Sequence, residues 1–558
     1  MLLLLAGVIE WRLAYWQVVR HLQLSQDAQA QYREVVVLPP ARGAIFDRNM
    51  RQLVVNTAVY SVFVSPDQVP ASQRDHVAVG LAQVLGVDPV AVTATLASGQ
   101  KFAYIARRQP KEKADQLTAM KLPGVGLEPD QQRSYLQGIT PDFTLAANLL
   151  GFVTDDGKGQ SGLEAYYQSS LQGTPGFISS YRDLANREIV LGTHSHKDPV
   201  NGSDLVLSID ANIQYLAEQE LANGVKAAHA ESGSVLIMDP TTGGIVAWAD
   251  YPSFNGNNYV HTDPSLFTDN VASYVYEPGS VMKAVTLSGA IDSGAIKPTD
   301  VINDPGMLRI GGYNIYDFDR ATKGNVTYQT VLDKSLNVGA MKAMLAEGHP
   351  NFYHYLDAFG LTAPSHIDVA AESSVAPPPA SQMGDSQYAT AAFGQGIDVN
   401  MVQMLAAVNV IANGGKYAPP HVVERVGTSV NPLLIQPQRQ VISPATARTM
   451  TLMMEDVVQH GSGFTSRVKG FELDQAGKTG TSQIPVNGQY SDQVWASFVG
   501  FLPADHPRFT MLVVIRKPNN PTVLENDGYF VAGPATLALF VRGAGGAGPS
   551  RGTHPGLE

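Results

Sequence analysis

The hydrophobic positions along this chain change their rhythm near residue 200. Before it, Tyr60–Val64 alternates apolar and polar at period two, which predicts a strand. Residues from about 70 to 125 form helical patches separated by proline and glycine, and Tyr166–Leu171 predicts a short helix. The stretch from Leu150 through Gly157–Glu164 is loop-rich. Nothing in this first third gathers a nucleophile, a base and an anion site, so it reads as scaffold. A change of composition falls at Asp198-Pro-Val-Asn-Gly202. Beyond it, Leu205–Ile209 predicts a strand. Asp210–Ala228 carries apolar residues at helical spacing, with Asp210 as the N-cap. Ser234–Met238 and Ile245–Ala249 are apolar runs joined by Asp239-Pro-Thr-Thr-Gly-Gly244, a hairpin with turn residues in its turn. Val494–Leu502 and Phe509–Arg516 form a second hairpin across Pro503–Pro507. Strands at both ends of a helical middle predict an α/β domain whose sheet is closed by sequence-distant strands. The Gly/Pro-rich Gly543–Glu558 is expected to be disordered.

Composition narrows the possibilities. At 558 residues the chain exceeds one ordinary core, and two or three domains are expected. A net charge of −12 argues against a nucleic-acid partner, which needs a basic face. The one basic cluster, Arg107-Arg108 with Lys111 and Lys113, is interrupted by Pro110 and Glu112 and reads as solvated surface. With no cysteine, disulfides, thiolate catalysis and Cys-based zinc sites are excluded. His-Glu-x-x-His is absent, and His194-x-His196 lies in a polar stretch that reads as loop, so no metal and no cofactor is implied. Met1–Ile9 is apolar, but Glu10 and Arg12 interrupt it before Leu13–Val19. Nine residues fall short of the roughly 20 that span a bilayer. Residues 1–20 are therefore expected to be part of a membrane anchor that starts upstream, the other reading being a short amphipathic helix.

Candidate chemistry sits in three ordered motifs. Tyr276-Glu-Pro-Gly279 breaks the chain, and Ser280-Val-Met-Lys283 opens an apolar helical stretch. Residues three apart on a helix share a face, so the Ser280 hydroxyl and Lys283 amine can touch. Lysine serves as a base only when burial or a neighbouring cation lowers its pKa, and Lys478 is the candidate cation. Ser335-Leu-Asn337 places a hydroxyl and an amide on an expected tight turn, with Ser335 able to relay a proton and Asn337 able to bind a peptide group. Ser253-Phe-Asn255 and Ser429-Val-Asn431 have the same spacing without the same flanks. The third motif, Lys478-Thr-Gly-Thr481, superficially ends a phosphate loop, but that loop needs glycine at 472, where the chain has Glu472. On a strand, Lys478, Thr479 and Thr481 can bind a carboxylate. Gly480 permits close approach of a substrate, and the backbone N–H groups of Thr481 and Ser280 can hold an oxyanion.

Taken singly these motifs are weak; in this order they match the set used by penicillin-binding proteins and class A β-lactamases. Further segments are similar to class B penicillin-binding proteins, the monofunctional peptidoglycan transpeptidases: Arg42–Arg48, Gly162-Leu-Glu164, Leu207–Asp210, Met238–Gly243, Tyr276–Ser280 and Phe393–Ile397. The resemblance covers about residues 10 to 542. It implies an α/β transpeptidase domain (central antiparallel sheet flanked by helices) at 201–542, on an extended α+β pedestal at 21–200, with the tail at 543–558. It also implies a single-pass anchor in the cytoplasmic membrane with the catalytic domain outside. The expected substrates are stem peptides of a lipid-linked precursor, with β-lactams as covalent inhibitors. A SEDS-type glycosyltransferase is the expected partner. Asn337-Val-Gly339 resembles the division and sporulation type, the elongation type usually having aspartate there. Met50 departs from the family pattern, which usually has glycine after Asp47-Arg48-Asn49, and this bears on the local turn. A D,D-carboxypeptidase uses the same acyl-enzyme and stays open, as does a β-lactam sensor. A β-lactamase needs a water-activating glutamate, and Glu347-Gly-His-Pro-Asn351 has the spacing with Pro350 in the place of leucine.

Overall fold

The computed structural model describes residues 1–23, 33–181, 195–467, 474–486, 489–519 and 532. The expected disordered tail, Glu472 and His194 lie outside these. Two compact units divide the chain, Met1–Gly43 with Ser169–Ser203, and Ala44–Gln168 with Asp204–Glu558.

In the first unit Leu2–Ala14 is an α-helix that widens over Tyr15–Val19. Leu5, Val8, Ile9, Trp11, Leu13, Val18 and Val19 are exposed. Among the described residues no helix is long and apolar enough to cross a membrane. A three-stranded antiparallel sheet joins Arg33–Leu38, Gly176–Tyr181 and Ser195–Lys197. His196 lies 3.3 Å from Asp198.

The second unit contains the catalytic sheet: β1 (Ser232–Met238), β2 (Ile245–Tyr251), β3 (Ala476–Val486), β4 (Gln489–Leu502) and β5 (Phe509–Arg516). Its order is β2-β1-β5-β4-β3, every pair antiparallel, so β5 lies between β1 of the first hairpin and its own hairpin partner β4. Helix α1 (Ala211–Ala227) packs on it, and the Asp210 carboxylate accepts from the N–H groups of Asn212 and Ile213, the expected cap. Helix α2 (Lys283–Asp292) follows the first motif, α3 (Asn337–Glu347) the second, and α5 (Pro444–His460) ends just before the third. Between α3 and α5, α4 (Met401–Ala412) is buried on every side from Met401 to Ile411, as a central helix must be.

A second sheet lies in the same unit. Its order is Ser429–Val430, Val423–Val426, Leu205–Leu207, Ile45–Phe46, Gln52–Val64, Ala103–Gln109, with Val125–Tyr135 also on Gln52–Val64. Helices Arg74–Leu85, Pro89–Ala97 and Lys111–Met120 match the expected helical patches, while the strand Ala103–Gln109 interrupts them and the strand Val125–Tyr135 follows them. Both strands are polar and irregular in pattern, and their pairing with the 13-residue Gln52–Val64 overrides local preference. The Arg42–Arg48 segment proves to be a fastener. Buried Asp47 accepts from the N–H groups of Asn49 and Arg51 and from that of Ala211, at the start of α1. Met50 takes φ +63°, the left-handed region where glycine is at ease, so the turn forms with a strained side chain. Arg107 lies over the Tyr104 ring, Arg108 pairs with Asp155, and Lys111 pairs with Asp115.

Glu164 has no exposed surface and meets Arg133 Nε at 2.8 Å, while Arg133 also reaches Asn56. Breaking a buried pair strands the remaining charge, at a cost of about 3–5 kcal/mol. Glu164→Ala is expected to lower the free energy of unfolding, measured by urea denaturation, by that amount; an unchanged urea midpoint contradicts it.

Candidate active site

Ser280 sits in a 3-10 turn (Gly279–Met282) that runs directly into α2. The turn begins with Gly279 at φ +59°, where a β-carbon would lie 2.6 Å from Thr481 O. The turn that carries Ser280 is thus pressed against β3. One helical step later Lys283 is fully buried. Its Nζ lies 2.9 Å from Ser280 Oγ, 2.5 Å from Ser335 O, 2.7 Å from Asn337 Oδ1 and 3.3 Å from Ser335 Oγ.

These four neighbours define the lysine's protonation chemistry. Burial first, and then the Lys478 charge, push the Lys283 pKa well below its ordinary value, with Asp317 opposing. A neutral amine has two N–H donors and one lone pair. Ser335 O and Asn337 Oδ1 can only accept, so they take the two donors. The lone pair is left for the hydroxyls of Ser280 and Ser335, Ser280 being nearer. In that arrangement Ser280 O–H donates to Lys283, as a nucleophile awaiting a base must.

The second motif is not one tight turn. Ser335 stands at φ +57°, a strained position for serine, and Asn337 already belongs to the first turn of α3. The start of α3 is capped from elsewhere, since Leu336 offers no side-chain acceptor. Asp317 Oδ1 accepts from the N–H groups of Asn337 (2.6 Å) and Val338 (3.0 Å). Asn337 Nδ2 donates to Tyr316 O. The amide expected to bind substrate therefore already holds Lys283 with its oxygen.

Lys478 is buried on β3 and donates to Ser335 Oγ (3.0 Å), Thr479 O (2.9 Å) and Thr479 Oγ1 (3.2 Å). Ser335 Oγ thus stands between the two lysines. Gly480 differs from expectation. A β-carbon there would lie 2.3 Å from Ser497 Oγ, 2.7 Å from Val281 Cγ2 and 3.0 Å from Pro278 O. The space glycine leaves is filled by Ser497 of β4 and by the turn that carries Ser280. Thr481 follows, partly exposed, where β3 passes Gly279.

The three motifs therefore meet at one place. Sequence reasoning missed Asp317 and Ser462. Ser462 Oγ accepts from Thr479 Oγ1 (3.0 Å) and Lys478 Nζ (3.4 Å). The small-residue run Gly461-Ser462-Gly463, 16 residues before Lys478 (478 − 462), was its only signal. The two decoys are structural: Ser253 donates to Asn148, and Asn431 donates to Asp368 and Val423 O. Glu347 is buried with neither carboxylate oxygen hydrogen-bonded among the described residues, and burial pushes it up to about 8. It abuts Gly289, nine residues past Ser280 (289 − 280) and roughly 13 Å along the helix, so it is remote from the nucleophile. Among the described residues no cluster could hold a metal ion.

A serine beside a buried lysine whose pKa is pushed down, a second hydroxyl between two lysines, and a cation-bearing edge strand together make a serine acyl-transfer site. Residues 233–540 match the penicillin-binding protein transpeptidase domain, and residues 37–207 match the penicillin-binding protein dimerisation domain. The chain belongs to the penicillin-binding protein family, as a class B member that carries both domains. It is 31% identical over 548 residues to the Escherichia coli (strain K12) peptidoglycan D,D-transpeptidase FtsI, covering 97% of this chain and 89% of that protein. It is 30% identical over 522 residues to the Bacillus subtilis (strain 168) stage V sporulation protein D, covering 92% and 79%. The crystal structure of penicillin-binding protein 3 from Mycobacterium tuberculosis, complexed with aztreonam, superposes with a TM-score of 0.70 at 25% identity. That match covers 92% of this chain and 98% of the other.

Proposed function

We propose that this chain is a peptidoglycan D,D-transpeptidase that cross-links stem peptides through an acyl-enzyme on Ser280, and that β-lactams arrest it at that stage. The carrying observation is the position of Lys283 Nζ against Ser280, Ser335 and Asn337. The donor's terminal D-Ala carboxylate lies against Lys478, Thr479 and Thr481. Ser280 Oγ attacks the carbonyl of the penultimate D-Ala as its proton passes to Lys283. The N–H groups of Ser280 and Thr481 hold the oxyanion. The peptide C–N bond breaks as Ser335 passes a proton to the departing D-Ala amine. An amine of a neighbouring stem peptide then attacks the ester, its proton returns through Lys283, and Ser280 is released with the cross-link formed. Asn337 positions Lys283 in its neutral form, and Gly480 lets β3 approach Pro278 and Val281.

Residues 1–20 serve in anchoring at the cytoplasmic membrane, 21–200 as the pedestal and 201–542 as the transpeptidase domain, outside the membrane. Anchor and pedestal contact a SEDS-type glycosyltransferase. Asn337-Val-Gly339 and the likeness to a sporulation protein support a division or sporulation role. The distance of Glu347 from Ser280 speaks against a β-lactamase.

The test is product analysis. Lipid-linked precursor polymerised in the presence of this protein is expected to yield peptide-linked muropeptide dimers. Loss of terminal D-Ala without dimers assigns a carboxypeptidase, and neither product, with stable penicillin binding, assigns a sensor.

A further inference from the structure

Ser462 lies immediately beyond α5, between the second and third motifs. Its N–H donates to Asp333 O at 2.8 Å, two residues before Ser335. Gly461 permits this closeness, since a β-carbon there would lie 2.8 Å from the same carbonyl oxygen. Two carbonyls near the end of α5 tie down the glycines on either side of Ser462, Asp456 O accepting from Gly461 N–H and Val457 O from the N–H groups of Gly461 and Gly463. Ser462 is therefore held by backbone, and its hydroxyl is left for the cleft.

That hydroxyl has a donor to spare. Its oxygen accepts from Thr479 Oγ1 and from Lys478 Nζ, and its own hydrogen has no acceptor among the described residues. Thr479 Oγ1 in turn accepts from Lys478. Lysine, threonine and serine thus form one connected set in which every oxygen already accepts, and one O–H remains unspent. Such a set lacks only an acceptor, and a carboxylate is the acceptor that a neighbouring ammonium selects. Ser462 is partly exposed, as a ligand contact requires.

We infer that Ser462 recognises the donor's terminal carboxylate together with Thr479. When the carboxylate arrives, one hydroxyl of the pair donates to it and the other donates to the first. The inference rests on the reading of this cleft as the D-Ala-D-Ala site. No bond forms or breaks, so only substrate affinity and discrimination depend on it.

The experiment compares second-order acylation rates for benzylpenicillin and its methyl ester. The wild type is expected to favour the free acid. In Ser462→Ala that preference narrows by roughly tenfold to a hundredfold, the effect of one charge-assisted hydrogen bond. The ester rate stays near the wild-type value, and Ser462→Thr restores the preference. A role in packing alone lowers both rates together and leaves the ratio intact, which overturns the inference. Ser462→Thr against Ser462→Val, alike in shape and different in the hydroxyl, gives the same contrast where the alanine variant does not fold. A wild type that is not acylated at Ser280 overturns the transpeptidase reading itself, whereas an acid-selective wild type with an equally selective Ser462→Ala overturns only the role of Ser462.

Discussion

Ser280→Ala is expected to abolish covalent labelling by a fluorescent penicillin while leaving the unfolding midpoint near the wild-type value. Two serines touch Lys283, so the choice between them is a real one. Ser280 Oγ lies 2.9 Å from Nζ at the open end of a helical run, whereas Ser335 Oγ lies 3.3 Å away and accepts from Lys478 as well. An oxygen already bound to an ammonium is a poor nucleophile and a good relay. Losing the nucleophile of such a set removes turnover by a factor on the order of 10⁶. Ser335→Ala is expected to label slowly instead of not at all. Penicillin adducts that persist on Ser280→Ala, located by peptide mapping, defeat the assignment.

Lys283→Arg is expected to reduce the acylation rate by about 10²–10⁴-fold, because arginine stays charged and cannot take the Ser280 proton. The pH dependence carries the sign. Lys283 is pushed below its ordinary value by burial and by the Lys478 charge, so the wild-type rate climbs as pH rises through that depressed value and then levels. Lys478→Gln removes the repelling charge, and the climb shifts to higher pH. Stability follows the same proton. Unfolded, this lysine binds a proton up to about pH 10.4; folded, it releases the proton at lower pH. Between the two values the unfolded chain holds more protons, so this group's contribution to stability increases with pH across that window. At neutral pH burying it costs stability, and Lys283→Met is expected to be inactive and no less stable. A rate profile unmoved by Lys478→Gln defeats the role given to the second lysine.

What could be read without coordinates was what lies close in sequence. The Ser280–Lys283 contact is one helical step, the Asp210 cap is two residues long, and both hairpins carry their own turn residues. The motif order then identified the third partner, Lys478, although nothing local pairs it with Ser335. Contacts made by an unrelated segment stayed hidden. Asp317 caps α3 from 20 residues away (337 − 317), just past the strand Tyr313–Tyr316, with no helical signal of its own. Ser462 looks like an ordinary small residue until β3 is laid beside it. The strands Ala103–Gln109 and Val125–Tyr135 carry weak alternation because their order comes from Gln52–Val64. Gly480 was read as room for a substrate, but Ser497 Oγ and the Pro278–Val281 turn stand where its β-carbon would be. Met50 shows the converse, a sequence departure whose cost became plain once φ was known.

The strand order β2-β1-β5-β4-β3 has a consequence for how an active molecule comes into being. Ser280 leaves the ribosome 198 residues ahead of Lys478 (478 − 280), which at about 5–20 residues per second is roughly 10–40 s. During that interval β1 has only β2 beside it, and its other neighbour, β5, is not yet made. Lys283 then has no Lys478 to hold it neutral, and Ser280 has no base. A nascent or prematurely ended chain therefore displays the nucleophile without its reactivity. The protein becomes acylatable only when β5 joins β1 to β4 and β3 takes its place at the edge, so chemical competence reports that the sheet has closed.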